Sequence, residues 1–424
     1  MMPAIYRLFR SPIPVILFLS LAIPVCQSRA DQLSSLNDTI PKLMQRGEYE
    51  KAVEQLQELF GLFPYNEAVR KNLAMAYAAV GKRQMERKQF DEAAGNFDHA
   101  LKLFPDSQEF GMQRGIALYS GKHYDEAAIV LEQALQAGGD NVVLFFFLGR
   151  VHYDSGNLAA ALEAWDKALE LDPGNKVIRE MADKARREYA VESPMEKGYR
   201  SMFVVSYDEG TKSDLADDVL DALETAYNRV GSDLDHYPSA RIPVILYTRK
   251  DYKILTAGPE WSGGLYDGKV RLPIGGTREI TPMLRAVLFH EYTHVVVGEL
   301  TKKNCPTWLN EGLAEVEGRK EYDPPMAALE AAAKSGTFLS LASLEKSLLA
   351  MSTKDAALAY QQSYAMVKFM ISSYGWHKVR EILDDLGSGM TIQAAIASAL
   401  ADYGLDYKGI EQEWQAAMQK EYGR

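Results

Sequence analysis

The chain has little cysteine and no excess of positive charge, and each scarcity excludes a class of protein. It contains 2 cysteines in 424 residues, too few for a small secreted scaffold held together by disulfides. Acidic residues outnumber basic ones by 58 to 47, which gives a formal net charge of −11. Because nucleic-acid binding rests on clustered basic residues, we expect no nucleic-acid partner.

Long apolar runs are also scarce, and the one that approaches membrane length lies at the amino terminus. Arg7 and Arg10 precede an apolar segment at 13–25, which is too short for a stable membrane span. Residues 28–30 then offer a cleavage site between small residues. The pattern predicts a signal peptide over 1–30, and therefore a periplasmic or secreted protein.

Removal of this segment would change both the charge and the cysteine content of the chain. Cleavage after Ala30 removes three arginines and no acids, which takes the formal net charge from −11 to −14. Cys305 is then the one cysteine left, so no disulfide can form within the mature chain. Two alternatives stay open: lipidation at Cys26, which Pro24 and Val25 disfavour, and an uncleaved anchor. Either alternative would attach the chain to a membrane, and of the two we expect such contact through the uncleaved anchor.

An HExxH pentapeptide begins at His290. Two imidazoles four residues apart lie on one face of a helix, close enough to share a metal ion. The glutamate beside the first histidine falls next to the metal, where it can take a proton from bound water. Thr281 and Pro282 are typical of a helix start. The pattern predicts zinc held by His290 and His294, with Glu291 as general base; histidines that merely pack are the alternative.

A zinc site needs a third protein ligand. The metzincin pattern requires glycine and histidine where this chain has Val297 and Leu300, which excludes that class. Glu311 and Glu315 follow further along the chain and share one face of a short helix at i, i+4. Two acids on a helix face are commonly just solvated. After an HExxH helix, we interpret them as a metal ligand and a supporting carboxylate.

HEYTH followed by WLNEGLAE at 308–315 resembles the gluzincin zinc metallopeptidases, and in particular the peptidase MA-like domains of bacterial proteins. The resemblance implies that Glu311 is the third zinc ligand and that Glu315 orients His290 through its other ring nitrogen. It also implies an α+β, thermolysin-like metallopeptidase domain over 191–424. The GxMEN segment of aminopeptidase N relatives is absent, so we expect an endopeptidase and do not infer amino-terminal exopeptidase activity.

Gluzincins similar to aminopeptidase N place a tyrosine hydroxyl over the scissile carbonyl, from a helix downstream of the third ligand. The distance to the glycine that ends this helix favours Tyr360 as the counterpart, with Tyr364 one turn away as the alternative. A phenol stays protonated at neutral pH and can donate a hydrogen bond to a forming oxyanion. Both tyrosines could instead pack a helix against the core.

Before the pentapeptide, strand-like and helix-like segments alternate. Residues 203–207 and 242–247 are apolar and β-branched enough for strands, and 213–231 carry a helical pattern. A glycine-framed segment at 263–273 is typical of a hairpin or edge strand that leads to the metal helix. In gluzincins the strand in this place pairs with the substrate backbone, which implies a peptide-binding edge here. An ordinary structural strand is the alternative.

The first half of the chain has a different periodicity. Ala93, Ala127 and Ala161 are separated by 34 residues each. This spacing resembles the tetratricopeptide repeat, a helix-turn-helix unit in which small residues let paired helices approach. We therefore predict an all-α tetratricopeptide solenoid over 31–190, with a closing helix at 176–190.

The first helices of the repeats would form the concave face of this solenoid, which is largely apolar. Its predicted members are Met112, Ile116, Tyr119, Val143, Phe146, Arg150 and Tyr153. Two roles stay open for this face: it binds a protein segment, or it packs against the peptidase domain.

These patterns predict an exported zinc metallopeptidase that acts on a protein or peptide substrate and recruits a protein partner or substrate through its repeats. The main alternative is a peptidase fold of weak or no activity that serves as an assembly scaffold in the cell envelope. A third hypothesis is a hydrolase of a non-protein amide such as a cell-wall crosslink. The complete HExxH motif with Glu311 and Glu315 argues against the scaffold, because a drifted site usually loses a ligand.

Overall fold

The structure, a computed structural model, describes most of the chain after residue 37. The described residues are 38–208, 210, 213–256, 264–274, 277, 279–346, 348 and 351–423. The predicted signal peptide at 1–30 lies outside them and stays a prediction. The described residues form two compact units that divide between Asp183 and Lys184, except that Asp154–Gly156 belong to the second unit. Among them, no helix has the length and apolarity needed to span a membrane.

The first unit consists of successive helices joined by short turns, as the 34-residue spacing predicts. After a helical segment at 38–45, its helices are α1 Tyr49–Leu62, α2 Glu67–Glu86, α3 Phe90–Leu103, α4 Gln108–Ser120, α5 Tyr124–Gly138, α6 Val142–Asp154, α7 Leu158–Leu171 and the first part of α8 Lys176–Glu192. Small residues let neighbouring helices approach closely. A Cβ atom at Gly115 would lie 2.5 Å from the side chain of Leu131, and one at Gly149 would overlap the ring of Trp165. Glycine is therefore required at both crossings.

The side chains predicted to line the concave face are buried or half-buried. They are Met112, Ile116, Tyr119, Val143, Phe146, Arg150 and Tyr153. The guanidinium of Arg150 lies 5.5 Å from the ring centre of Tyr119, and the ring of Phe147 meets Tyr119 edge-on at 5.9 Å. Tyr119, Phe147 and Arg150 thus form an aromatic cluster with a stacked cation, and the predicted face is not a row of exposed apolar groups.

The second unit combines one mixed β-sheet with a set of helices. Its elements after α8 are β1 Glu196–Tyr199, β2 Phe203–Tyr207, α9 Ser213–Leu234, β3 Ile242–Leu246, α10 Arg249–Thr256, β4 Leu265–Tyr266, β5 Val270–Leu272, α11 Pro282–Leu300, α12 Thr307–Gly318, α13 Ala327–Ser335, a 3-10 helix at Leu341–Glu345, α14 Thr353–Tyr374, α15 Trp376–Gly387, α16 Ile392–Ala399, a 3-10 helix at Ala401–Tyr403 and α17 Tyr407–Tyr422. The strands and helices predicted before the pentapeptide are present as β2, α9 and β3, and the glycine-framed segment forms the hairpin β4–β5.

The sheet has five strands in the order β1-β2-β3-β5-β4. Its three central strands are parallel, with Val205 opposite Val244 and Val244 opposite Val270. β1 and β4 are antiparallel edge strands, and β4 turns into β5 at Gly268, whose φ of +116° suits glycine. Helix α11, which carries the HExxH pentapeptide, follows this sheet edge, and its Tyr292 ring packs edge-on against Phe203 of β2 at 5.8 Å.

A buried cluster of charges joins the end of α8 to the hairpin. Arg271 of β5 donates to Glu188 at 3.0 Å and to Glu192 at 3.3 Å, and Lys269 lies 3.4 Å from Glu188. The side chains of Glu188, Lys269 and Arg271 are each 2% exposed. Burial alone would raise the pKa of Asp267, but Arg271 and Lys184 outweigh it and lower that pKa. Buried ion pairs therefore join the carboxyl end of α8 to the sheet.

Glu188→Ala should destabilise the second unit strongly, because it leaves two buried cations without their shared carboxylate. Removal of one partner from a buried ion pair typically costs about 3–5 kcal/mol. Urea unfolding followed by tryptophan fluorescence measures the loss, and Glu180→Ala, on an exposed face of α8, is the matched control. Equal stability of the two variants would show that the cluster contributes nothing net. The same reasoning places the start of a stable fragment before Glu188, and therefore ahead of the predicted boundary at residue 191.

Candidate metal centre

The helix that carries the pentapeptide begins where its flanking residues predict. Thr281 adopts an extended conformation, and its hydroxyl accepts a hydrogen bond from the backbone N–H of Leu284 at 3.1 Å. Pro282 occupies the first turn, where its missing N–H costs nothing. From there α11 runs for 19 residues to Leu300, so His290 and His294 lie one turn apart on one face.

Two helices bring three metal-ligating side chains together. His290 and His294 come from α11 and Glu311 from α12, and one donor atom of each lies within 4.8 Å of the other two. Oε2 of Glu311 is 3.4 Å from Nε2 of His290 and 3.6 Å from Nε2 of His294. Ligands of a tetrahedral zinc ion at about 2.0–2.1 Å lie about 3.3 Å from each other. The two distances from Oε2 of Glu311 to the imidazoles therefore fit zinc.

The hydrogen bonding of the three side chains also fits a metal ion. Oε2 of Glu311 is buried, and its distance and angle to the two imidazoles leave it without a hydrogen-bond partner. The other ring nitrogens are already engaged: Nδ1 of His290 lies 3.3 Å from Glu315, and Nδ1 of His294 lies 3.1 Å from Oδ1 of Asn310. Each imidazole thus directs Nε2 towards Glu311, and the partner on Nδ1 holds its ring orientation.

Charges in the centre shift the pKa values of its side chains in opposite directions. Burial disfavours the charged form of His290, but Glu311 and Glu315 outweigh burial and raise its pKa well above the usual value. Burial would raise the pKa of Glu311, but His294 and His290 outweigh it and lower that pKa. Metal binding competes with protonation of His290, so affinity for a metal ion should fall as the pH falls.

Glu291 lies beside the three candidate ligands and is 5% exposed. Its burial raises its pKa above that of a solvated glutamate, although His294 and His290 oppose the shift. A raised pKa makes the carboxylate a stronger base. The backbone of Gly264, directly before β4, approaches this side chain so closely that a Cβ there would lie 2.5 Å from Oε1 of Glu291. Any larger residue at 264 would displace the carboxylate.

Glycines on α12 allow the close helix packing that builds the centre. A Cβ at Gly318 would lie 2.9 Å from the carbonyl oxygen of Ala286 on α11. A Cβ at Gly312 would lie 2.5 Å from the carbonyl oxygen of Ser363 on α14. Because α12 has no side chain at these crossings, α11 and α14 both pack close to the helix that carries Glu311.

The structure places Tyr360 and Tyr364 of α14 in different surroundings. The ring of Tyr360 lies 6.5 Å from that of His290. Burial, with the charges of Glu311 and Glu291, raises the pKa of Tyr360, so its hydroxyl stays protonated. The ring of Tyr364 instead lies under the guanidinium of Arg319 at 4.3 Å. Only Tyr360, of these two, faces the candidate ligands.

Three residues of this centre were not predicted from the sequence. Asn310 faces His294, Gly264 makes room for Glu291, and Arg319 holds Glu315 with a hydrogen bond of 2.9 Å. The sequence carries weak signals for them: Asn310 directly precedes the third ligand, Gly264 belongs to a glycine pair, and Arg319 lies four residues after Glu315. None of these signals points to a partner on another element.

Family models match both the repeat region and the carboxyl-terminal part of the chain. A Peptidase MA superfamily model matches residues 239–420, and tetratricopeptide repeat models match 81–142 and 142–175. A bacterial transcriptional activator domain model also matches 15–107. The predicted resemblance to peptidase MA-like domains with tetratricopeptide repeats is therefore confirmed, as is the predicted fold class.

The curated proteins that are similar to this chain match part of its length. The wheat (Triticum aestivum) Hsp70-Hsp90 organizing protein is 32% identical over 101 residues, which cover 24% of this chain and 17% of that protein. The small glutamine-rich tetratricopeptide repeat-containing protein 2 of Saccharomyces cerevisiae is 28% identical over 112 residues, or 26% of this chain and 32% of that one. The chain thus spans a third or less of these two relatives.

Solved structures of repeat proteins are similar to parts of the chain. The Arabidopsis OM64 TPR domain has 19% identity and a TM-score of 0.27, and the match covers 28% of this chain and 98% of that one. A thermophilic TPR protein of Thermus thermophilus has 23% identity and a TM-score of 0.25, and the match covers 36% of this chain and 79% of that one.

Proposed function

We propose that this protein, which carries a Peptidase MA superfamily domain after tetratricopeptide repeats, is a zinc-dependent peptidase that hydrolyses internal peptide bonds. The proposal rests on one observation above all: Nε2 of His290, Nε2 of His294 and Oε2 of Glu311 converge at spacings that fit zinc, with Glu291 buried beside them. This arrangement combines a metal site with a base that takes no part in the ligand set.

His290, His294 and Glu311 would hold the zinc ion. When bound, zinc supplies Lewis-acid chemistry: it polarises the scissile carbonyl and lowers the pKa of water. Glu291 then accepts the proton of the attacking water and later gives it to the leaving amine. Its buried position favours this exchange, because burial raises the pKa of Glu291 and makes the carboxylate a stronger base.

Tyr360 is proposed to stabilise the oxyanion that forms on the scissile carbonyl. Its ring lies beside His290, and burial together with the neighbouring carboxylates raises its pKa, so it has a proton to donate at neutral pH. A fixed hydroxyl donor near developing negative charge lowers the barrier without reorganisation.

Tyr360→Phe should keep zinc binding and stability while turnover falls by about 10²-fold or more, as loss of one oxyanion donor typically does. Tyr364→Phe is the matched control, because its hydroxyl lies away from the candidate ligands and the ring that carries Arg319 remains. Steady-state kinetics on one peptide substrate compare the two variants. Near-normal turnover in Tyr360→Phe would assign the oxyanion donor to another group.

The repeats are proposed to recruit a protein partner or substrate, since tetratricopeptide repeats generally mediate contacts between proteins. The proposed cell-envelope location, periplasmic or secreted, rests on the amino-terminal sequence alone. In that setting the substrate would be an exported or envelope protein that the repeats hold near the metal centre.

Cleavage of a mixed peptide library tests the proposed activity. The purified protein should cleave internal bonds, lose this activity after treatment with a chelator and regain it with added zinc. Mass spectrometry of the products distinguishes endopeptidase from exopeptidase cleavage. If the protein binds zinc stoichiometrically but cleaves neither peptides nor a panel of non-peptide amides, the scaffold hypothesis replaces the peptidase.

A further inference from the structure

Behind the candidate zinc ligand His290, a continuous line of contacts leads away from the metal centre. Nδ1 of His290 lies 3.3 Å from Oε1 of Glu315, and the other carboxylate oxygen of Glu315 accepts a hydrogen bond from Nε of Arg319 at 2.9 Å. Glu315 is therefore held at both oxygens. One end of the carboxylate contacts a ligand, and the other contacts a guanidinium.

Arg319 is itself fixed in several directions. Its Nη1 atom donates to Asp323 at 2.8 Å and to the carbonyl oxygen of Pro324 at 2.9 Å. The side chain is only 6% exposed. A guanidinium donates through a rigid planar fork, so these contacts together define its orientation. These contacts fix the position of the Arg319 guanidinium, which in turn holds the carboxylate of Glu315.

The ring of Tyr364 completes this support from the neighbouring helix α14. The Arg319 guanidinium lies 4.3 Å from the ring centre, and Tyr364 is 8% exposed. The ammonium group of Lys368 lies 5.2 Å from the same ring. Cations stack favourably on aromatic faces, and more so where water is excluded. Tyr364 therefore packs as a platform for Arg319.

We propose that Arg319 and Tyr364 are positioning residues of the zinc site, which hold Glu315 and through it the ring of His290. The inference rests on the proposed function, because it concerns the same centre. Without the guanidinium, Glu315 can rotate away from Nδ1, and the His290 ring loses the contact that directs Nε2 towards the metal. Zinc affinity, rather than substrate binding, is the property that this support determines.

A double-mutant cycle on zinc affinity tests the proposal. Competition with a chromogenic chelator should show that Arg319→Gln weakens zinc binding by about 10–100-fold, as loss of a supporting contact typically does. Glu315→Ala should weaken it to a similar degree. In the Glu315→Ala background, Arg319→Gln should have almost no further effect, because its action passes through Glu315.

Arg285→Gln is the matched control. Arg285 also pairs with a glutamate, Glu321 at 2.8 Å, and also lies over an aromatic ring, that of Phe289 at 6.0 Å. Its partner glutamate does not support a candidate ligand, so zinc affinity should stay within about twofold of the parent. Urea unfolding of the metal-free proteins separates any general loss of stability from the effect on zinc.

Substitutions of Tyr364 test the platform independently. Tyr364→Phe keeps the ring and should bind zinc like the parent, whereas Tyr364→Leu should weaken binding in the same direction as Arg319→Gln. If Arg319→Gln fails to fold, Arg319→Lys replaces it: the single ammonium group cannot serve Glu315, Asp323 and Pro324 together, so zinc affinity should still fall.

Each outcome bears on one of the two proposals. Additive effects of Arg319→Gln and Glu315→Ala, or parent-like zinc affinity in Arg319→Gln and Tyr364→Leu, would overturn the positioning role and leave the zinc site intact. Absence of zinc binding by the parent protein would instead refute the proposed function. Full non-additivity with an unchanged Arg285→Gln supports the positioning role.

Discussion

Glu291→Gln protein should bind one zinc ion per chain and hydrolyse peptides about 10²–10⁴-fold more slowly than the parent. Glutamine keeps the size of the side chain but cannot accept the proton of the attacking water. Since the candidate ligands are His290, His294 and Glu311, the substitution leaves the metal site complete. Burial of Glu291 favours retention of the fold, because the neutral amide does not have the desolvation cost of a buried carboxylate.

Elemental analysis and single-turnover kinetics of Glu291→Gln measure the two properties separately. Glu299→Gln is a suitable control, because Glu299 lies on the same helix and faces a histidine outside the centre, His236, at 3.0 Å. It should retain both zinc and activity. A residual rate near that of the parent would refute the role of Glu291 as general base.

Glu311→Ala should bind zinc far more weakly than the parent and lose hydrolysis with it. Two histidines alone hold zinc weakly, and the carboxylate also supplies the negative charge that faces the metal. In the parent, zinc should raise the thermal midpoint of the second unit, because an ion that binds only the folded state stabilises it. The variant should show almost none of this shift at the same zinc concentration.

Dialysis against zinc-free buffer, followed by elemental analysis, measures the retained metal. Glu317→Ala is the control on the same helix: Glu317 is buried and pairs with Lys320 at 2.7 Å, not with either candidate histidine. It should retain zinc even if its stability falls. Full zinc occupancy in Glu311→Ala would transfer the ligand role to a different residue.

The predicted parts of the fold are those in which local spacing determines the structure. A repeat of 34 residues specifies a helix pair, and the repeat models match the region where that spacing occurs. Short-range turn chemistry predicts a hairpin or edge strand before helix α11, and β4–β5 is a hairpin. The burial of the side chains predicted for the concave face could not be predicted, because periodicity identifies the residues of a face and not the residues that contact it.

The candidate metal centre likewise has features that local spacing predicts and features that depend on how the helices pack. The i, i+4 spacing within α11 places His290 and His294 on one face wherever that helix lies, and the same spacing on α12 aligns Glu311 with Glu315. Periodicity alone left Tyr360 and Tyr364 as alternatives, one turn apart. The packing of α14 against α12 at Gly312 distinguishes them, since Tyr360 faces His290 and Tyr364 faces Arg319.

The sequence by itself thus identified the candidate residues of the site: which side chains could bind a metal, which could act as a base, and which helices carry them. Helical geometry over one turn is the same in any fold, so these features can be read locally. Only the tertiary structure decided the contacts of Asn310, Gly264 and Arg319. These contacts join elements distant in sequence or depend on close backbone approach, and the packing of whole helices and strands, which no local spacing records, determines them.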